Sequence, residues 1–310
     1  MDYSVENISY KSSNKVNTIK GKVYVPNKNQ NIKGIVQIVH GMCEYFDRYK
    51  TFIEYLVQRG YIVCGHDNLG HGYSVNSKDD YGYFADKLGY KCLIKDTWNL
   101  TKIVKNQFPQ YKYIILGHSM GSFITRSYMY DYGYYVDGVI LSGTMGPIKG
   151  IDLIIKMIDQ YILIKGPRYR SKNIIKVAFR LSKVNIKHTM NKYSWVSRNV
   201  EVTEKYKKDK LGNFLFTASG YRDLLKLIKQ ANNKISIKKM DKSLPIFIFS
   251  GDKDLVGKNG KGVQEVYDIL KANDCNVTLK LYPNGRHEML NEINNNKVYS
   301  DIIQWIENIK

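Results

Sequence analysis

The sequence is poor in cysteine: Cys43, Cys64, Cys92 and Cys275 are its four, scattered over 310 residues without zinc-like spacing. That excludes a disulfide scaffold and a zinc finger, and it fits reduced thiols in a cytosolic protein. No run approaches eighteen uninterrupted apolar residues, so no bilayer-spanning helix is expected. The opening stretch, Met1 to Tyr10, is mixed and polar and lacks the apolar core of a secretory signal. The expected location is therefore cytoplasmic, with peripheral contact at the inner membrane surface as an added possibility. Acidic residues are scarce beside basic ones, 28 against 48, for a formal charge of +20. No recognised nucleic-acid module accompanies that charge, so no nucleic-acid partner is expected. At 43% hydrophobic residues the chain can bury a full core.

What is present centres on residues 112–122. A short apolar run, Tyr113 to Leu116, leads directly into Gly117-His118-Ser119-Met120-Gly121, and a helix-like segment follows from Phe123 to Asp131. A strand, a sharp turn and a helix in that order make a nucleophile elbow, with the serine held strained at the strand's carboxyl end. Gly117 and Gly121 are needed because a side chain at either would strike the neighbouring backbone. The Met120 amide then lies at a helix N-terminus, where a negative oxygen would be stabilised.

A serine hydroxyl needs a base, and the base needs a third group to hold its tautomer. In this architecture the acid and the histidine follow the serine. Leu244 to Ser250 reads as a buried strand followed by Gly251-Asp252-Lys253-Asp254, and Val277 to Tyr282 as a strand followed by Pro283-Asn284-Gly285-Arg286-His287-Glu288. Of the two histidines after Ser119, His188 and His287, the second follows a strand. Both loops lie at strand carboxyl ends, the edge where open α/β sheets place their sites.

These segments, with His40-Gly41-Met42-Cys43-Glu44, Arg48-Tyr49 and Asp67-Asn68-Leu69-Gly70-His71-Gly72-Tyr73-Ser74, resemble the α/β-hydrolase fold. Within it the chain resembles the bacterial type of the monoacylglycerol lipase and lysophospholipase branch, from about Val23 to Trp305. The resemblance implies Ser119 as nucleophile, Asp254 as acid in preference to Asp252, and His287 as base. It further implies an oxyanion hole from the amides of Met42 and Met120, and no metal or organic cofactor.

The fold expected is α/β: a mostly parallel central sheet with helices on both faces and a helical cap insertion. Hydrolase core is assigned to 1–145 and 237–310, and the cap to 146–236. Val5 to Tyr10 and Ile19 to Pro26 read as an antiparallel opening pair, and Gly34 to Val39 and Tyr61 to Gly65 as strands. Arg48 to Gly60, Leu88 to Phe108, Val263 to Ala272 and Asn291 to Ile309 have helical spacing, the last with Ile293, Val298, Ile302, Trp305 and Ile306 on one face. Glu44 and Arg48 are placed to pair and brace the loop that carries Met42. His71, in a tight glycine turn, reads as structural.

Charge is uneven along the chain. Residues 146–236 carry 20 basic and 6 acidic side chains, an excess of +14, against +5 before and +1 after. A basic cap bearing an apolar segment, Ile151 to Ile164, suits an anionic lipid surface. The activity implied is hydrolysis of a lipid carboxylic ester, a monoacylglycerol or lysophospholipid, through an acyl-enzyme on Ser119. A small-ester carboxylesterase or thioesterase would use the same residues, and a non-catalytic lipid-interface protein is the remote alternative.

Overall fold

The computed structural model describes residues 3–27, 30–173 and 193–309. Its centre is an eight-stranded sheet: β1 (Tyr3–Lys11), β2 (Thr18–Pro26), β3 (Gly34–Val39), β4 (Tyr61–His66), β5 (Tyr113–His118), β6 (Gly138–Ser142), β7 (Ile246–Gly251) and β8 (Val277–Tyr282). The strand order is β1-β2-β4-β3-β5-β6-β7-β8. β1 and β2 form an antiparallel pair that joins β4 antiparallel, and every pairing from β4 to β8 is parallel. β3 to β7 are buried along their whole lengths, which is why they read as unbroken apolar runs. β1 at one edge is largely exposed and alternates polar with apolar residues.

Helices cover both faces. Against one lie α1 (Lys50–Val57) and α9 (Asn295–Glu307), through Phe52, Ile53, Leu56, Val298, Tyr299 and Ile302. On the other are α2 (Gly89–Gln107), α3 (Met120–Tyr132) and α8 (Lys261–Lys271), through residues such as Leu93, Val104, Ile124, Tyr128, Val263 and Leu270. Burying about this many aliphatic and aromatic side chains, each worth roughly 1.5–3 kcal/mol, is what closes the sheet between its two helical layers. Ile293 departs from the expected apolar face. It precedes α9 and stands 63% exposed, whereas Val298, Ile302 and Ile306 are buried.

Between β6 and β7 the alternation of strand and helix stops. This segment carries α4 (Ile151–Lys165), α5 (Val200–Lys208), α6 (Ala218–Ala231) and α7 (Lys234–Lys239). Among its described residues the sole β contact is an isolated bridge between Arg170 and Thr217. Thr217 caps α6 by accepting from the Gly220 amide at 3.1 Å and donates to the Gly82 carbonyl at 3.0 Å. α6 packs on α2, α3 and α4, with Leu225, Leu227, Ile228 and Ala231 buried. His188 lies outside the described residues.

Candidate active site

The site is assembled from the carboxyl ends of β3, β5, β7 and β8. β5 runs into Ser119, whose backbone sits at φ 52° and ψ −119°, a conformation costly for a residue with a side chain. Two glycines make it possible. A Cβ on Gly117 would come within 2.4 Å of the Gly121 carbonyl oxygen, and one on Gly121 within 2.0 Å of the Val39 carbonyl oxygen. The Ser119 amide donates to the Ser142 carbonyl at 2.9 Å, and Ser122 Oγ donates to the Ser119 carbonyl at 2.6 Å. Ser119 is thus over-determined by both neighbouring strands. Met120 opens α3, whose start has no side-chain cap.

β3 pairs Val39 with Gly117, so the loop after β3 emerges beside the elbow. His40 is fully buried and fixes that loop: Nδ1–H donates to the Gly41 carbonyl at 2.8 Å while Nε2 accepts from the Asn68 amide at 2.8 Å. Burial, reinforced by His71, holds His40 well below the usual histidine range, so it stays neutral. A Cβ on Gly41 would stand 3.0 Å from Ser119 Cβ, and its absence lets the loop bearing Met42 lie against the serine.

The remaining two groups arrive on loops after β7 and β8. Here too a glycine sets the approach: a Cβ on Gly251 would fall 2.0 Å from the Gly285 carbonyl. The loops pack backbone to backbone, with the Lys253 amide donating to the Gly285 carbonyl at 2.9 Å. Asp254 is fully buried; its Oδ2 accepts from Ser250 Oγ at 2.7 Å and its Oδ1 from the Val256 amide at 2.9 Å. Its Oδ1 also lies 2.9 Å from His287 Nδ1, and His287 Nε2 lies 2.9 Å from Ser119 Oγ. Burial disfavours the charged imidazole, but the Asp254 carboxylate outweighs it and raises His287 above its ordinary value. Burial likewise pushes Asp254 up, and His287 with the Ser250 hydroxyl pulls it below the usual carboxylate range. Asp252 is half-buried and faces Lys253 at 4.0 Å.

An unbroken line of hydrogen bonds from a strained serine through a histidine to a buried carboxylate can activate a hydroxyl as a nucleophile. A family model described as Hydrolase_4, serine aminopeptidase S33, matches residues 30–294. The chain belongs to this family. It is an α/β-hydrolase whose relatives include lipases and esterases. It is similar to the monoacylglycerol lipase of Mycolicibacterium smegmatis, 25% identical over 277 residues that cover 88% of each chain. To the probable lysophospholipase L2 of Haemophilus influenzae it is 23% identical, over 85% of this chain and 80% of that one. Among solved structures it superposes on a thermostable carboxyl esterase from Bacillus coagulans with a TM-score of 0.89, at 28% identity over 99% of both chains.

Around the serine of this S33-family hydrolase the structure differs from one expectation. Glu44 and Arg48 do not pair. Glu44 Oε2 instead accepts from the Gly41 amide at 3.0 Å and from Tyr49 Oη at 2.7 Å. Arg48 donates to both oxygens of Glu288 at 2.9 Å and lies over the Tyr206 ring at 4.5 Å. The reason is reach: Glu44 is turned back onto its own loop, and the residue after His287 offers Arg48 a bidentate partner. His71 is buried among Phe84, Phe214 and Phe216, and burial pushes it down to about 4.

Sequence reasoning did not find Ser250, which holds Asp254, or Trp195, whose ring lies 5.4 Å from that of His287. Ser250 directly precedes the loop glycine and had a local signal. Trp195 stands in Ser194 to Arg198, a stretch that itself resembles bacterial members of the branch, but nothing in it pointed to His287, because it reaches the site only through the tertiary fold.

Proposed function

We propose that Ser119, His287 and Asp254 form a catalytic triad that hydrolyses carboxylic esters of lipids, with monoacylglycerols and lysophospholipids as the substrate class. The observation that carries the reading is the pair of 2.9 Å contacts joining the three side chains at the sheet's carboxyl edge. Ser119 Oγ attacks the ester carbonyl carbon while His287 Nε2 takes its proton. The amides of Met42 and Met120 donate to the oxyanion that forms. His287 then returns the proton to the leaving alcohol, and the acyl group remains on Ser119. Water, deprotonated by the same nitrogen, displaces it. Asp254 keeps the proton on Nδ1 and stabilises the imidazolium. The substrate class follows from the lipase and lysophospholipase relatives, while the likeness to a carboxyl esterase favours small esters as the second reading.

Residues 146–236 are read as a cap over this site. α4 packs inward through Ile154, Ile155 and Ile158 and leaves Leu153, Met157, Leu163 and Ile164 between 51% and 77% exposed. Lys149, Lys156 and Lys165 are exposed beside them. Apolar side chains flanked by lysines in a segment of +14 excess charge suit an anionic lipid interface. No described helix is long and apolar enough to cross a membrane.

A fluorophosphonate probe should label Ser119 in the parental protein and leave Ser119→Ala unlabelled. An acyl-chain series of p-nitrophenyl esters, run beside monoacylglycerols and lysophospholipids, then separates the two substrate readings. A rate that peaks on acetate or butyrate and falls steeply with chain length would assign the enzyme to small esters.

A further inference from the structure

Behind the Ser119–His287–Asp254 line lies a second buried set of polar groups, brought together by three elements. Glu44 comes from the loop after β3, His118 from the end of β5 and Glu288 from the loop after β8, and all three are at most 5% exposed. Their charges are not matched equally. Arg48 takes both oxygens of Glu288, so that pair is neutral. Glu44 has no lysine or arginine within ion-pair distance among the described residues; its Oε2 is held by two neutral donors, the Gly41 amide and Tyr49 Oη. Its Oε1 instead faces His118 Nε2 at 3.7 Å, a buried atom with no hydrogen-bond partner among the described residues. His118 Nδ1 lies 3.1 Å from Ser142 Oγ, and the His118 ring packs on that of His287 with centroids 4.7 Å apart. Burial and the neighbouring His287 push His118 down to about 3, so it stays neutral.

A buried carboxylate without a cation is unfavourable unless a nearby group turns positive. In the proposed cycle one does: His287, when it holds the proton of Ser119. Asp254 faces His287 from the loop after β7, Ser119 and His118 from β5 and the elbow, Trp195 from the segment before α5, and Glu288 with Arg48 from its own side. Asp254 and the Glu288–Arg48 pair are accounted for by their direct contacts, which leaves Glu44, near Arg48 but sharing that cation with Glu288, as the carboxylate without a direct ion pair. The carboxylates and His118 also approach as a cation site would, with ligand atoms within 4.8 Å. Arg48 on Glu288 and two donors on Glu44 Oε2 favour the proton instead.

We infer that Glu44 is a positioning residue of this site: Oε2 holds the Met42 loop through the Gly41 amide, and Oε1 lends its negative charge across His118 to His287 as that base becomes protonated. The inference rests on the triad reading above. His118, which stays neutral, is the polarisable link between carboxylate and base. Chemically, one side chain ties the geometry of the oxyanion amides to the basicity of the histidine.

The test is the pH profile of kcat/KM on a soluble ester. The reaction needs neutral His287, so activity falls as pH drops through its pKa. Glu44→Gln keeps an oxygen for Gly41 and Tyr49 but removes the charge, and its acid limb should move to lower pH by roughly half a unit or more. Glu44→Asp keeps the charge; its limb should stay with the parental one even if kcat falls. Because the groups are buried, the shift should persist at high salt, where an exposed pair would be screened. Glu44→Met, which also removes the charge, serves the same comparison should the amide variant not fold. A folded neutral variant whose acid limb coincides with the parental one, however slow, overturns the inference and leaves Glu44 a purely structural brace. Fluorophosphonate labelling of the parental protein separates the two levels: no label at Ser119 removes the triad reading and this inference with it, whereas label with an unshifted limb removes this inference alone.

Discussion

The strand-end loops and the segment between β6 and β7 solve opposite problems. In the loops, backbone approaches backbone at distances that a single methyl group would forbid, as at Gly117, Gly121 and Gly251. Ser119, Asp254 and His287 are fixed there by contacts from neighbouring strands, so little is left to adjust. The segment that holds α4 to α7 instead spends its composition on surface: exposed lysines and, on α4, exposed Leu153, Met157, Leu163 and Ile164. The first region can carry chemistry because it is rigid. On α4 the second can vary its outward residues without disturbing the first, because its inward anchors and its outward side chains lie on different faces of the helix.

Four variants would break or sharpen this contrast. Ser119→Ala, within the rigid region, should lower kcat on any ester by on the order of 10⁶, since removing the nucleophile costs about as much as removing the whole triad. Thermal unfolding of that variant should stay near the parental midpoint, and a rate within tenfold of the parental one would remove the triad. Asp254→Asn should lower kcat by about 10⁴, through a wrongly held histidine tautomer. Asp252→Asn, whose side chain meets Lys253 and solvent, should change kcat by less than about threefold, as exposed pairs contribute little. The reverse ranking in steady-state kinetics would move the acid to Asp252. The smallest effect belongs to the other side of the comparison. Reversing the exposed cluster Lys205, Lys207, Lys208 and Lys210 to Glu should remove a severalfold preference for anionic over neutral vesicles and spare a soluble ester. The parental preference should itself shrink as salt rises to about 0.15 M. Equal parental rates on both vesicle types at every salt concentration would end the lipid-docking reading.

How far the sequence carried depended on whether a signal was local. The buried parallel strands β3, β4, β5 and β7 were legible because they are short apolar runs bounded by glycine or loop residues, and errors were confined to two residues or so at their ends. The elbow was legible for the same reason: the glycines that permit it stand two positions either side of Ser119. Pairings between distant side chains were not. Glu44 and Arg48 look like natural partners at four residues apart, yet Glu288, 240 positions from Arg48, wins because the loop after β8 folds back beside it. Ile293 shows the same limit on a smaller scale, since apolar spacing continues beyond the point where α9 begins.

One small piece of backbone bears on how such enzymes can be recombined. The His287 amide donates to the Trp195 carbonyl at 3.4 Å and the Glu288 amide to the Val196 carbonyl at 2.8 Å. Ser197 Oγ donates to the Asn291 carbonyl, and Arg198 pairs with Glu292. Residues 195–198 therefore belong, in mechanical terms, to the histidine's own loop, although in chain order they sit in the middle of the inserted segment. A chimera that exchanged everything between β6 and β7 would import a foreign splint for His287 together with a foreign outer surface. A graft that leaves 193–199 in place keeps that splint, and the seam for exchanging the outer surface of this scaffold runs through the insertion rather than around it.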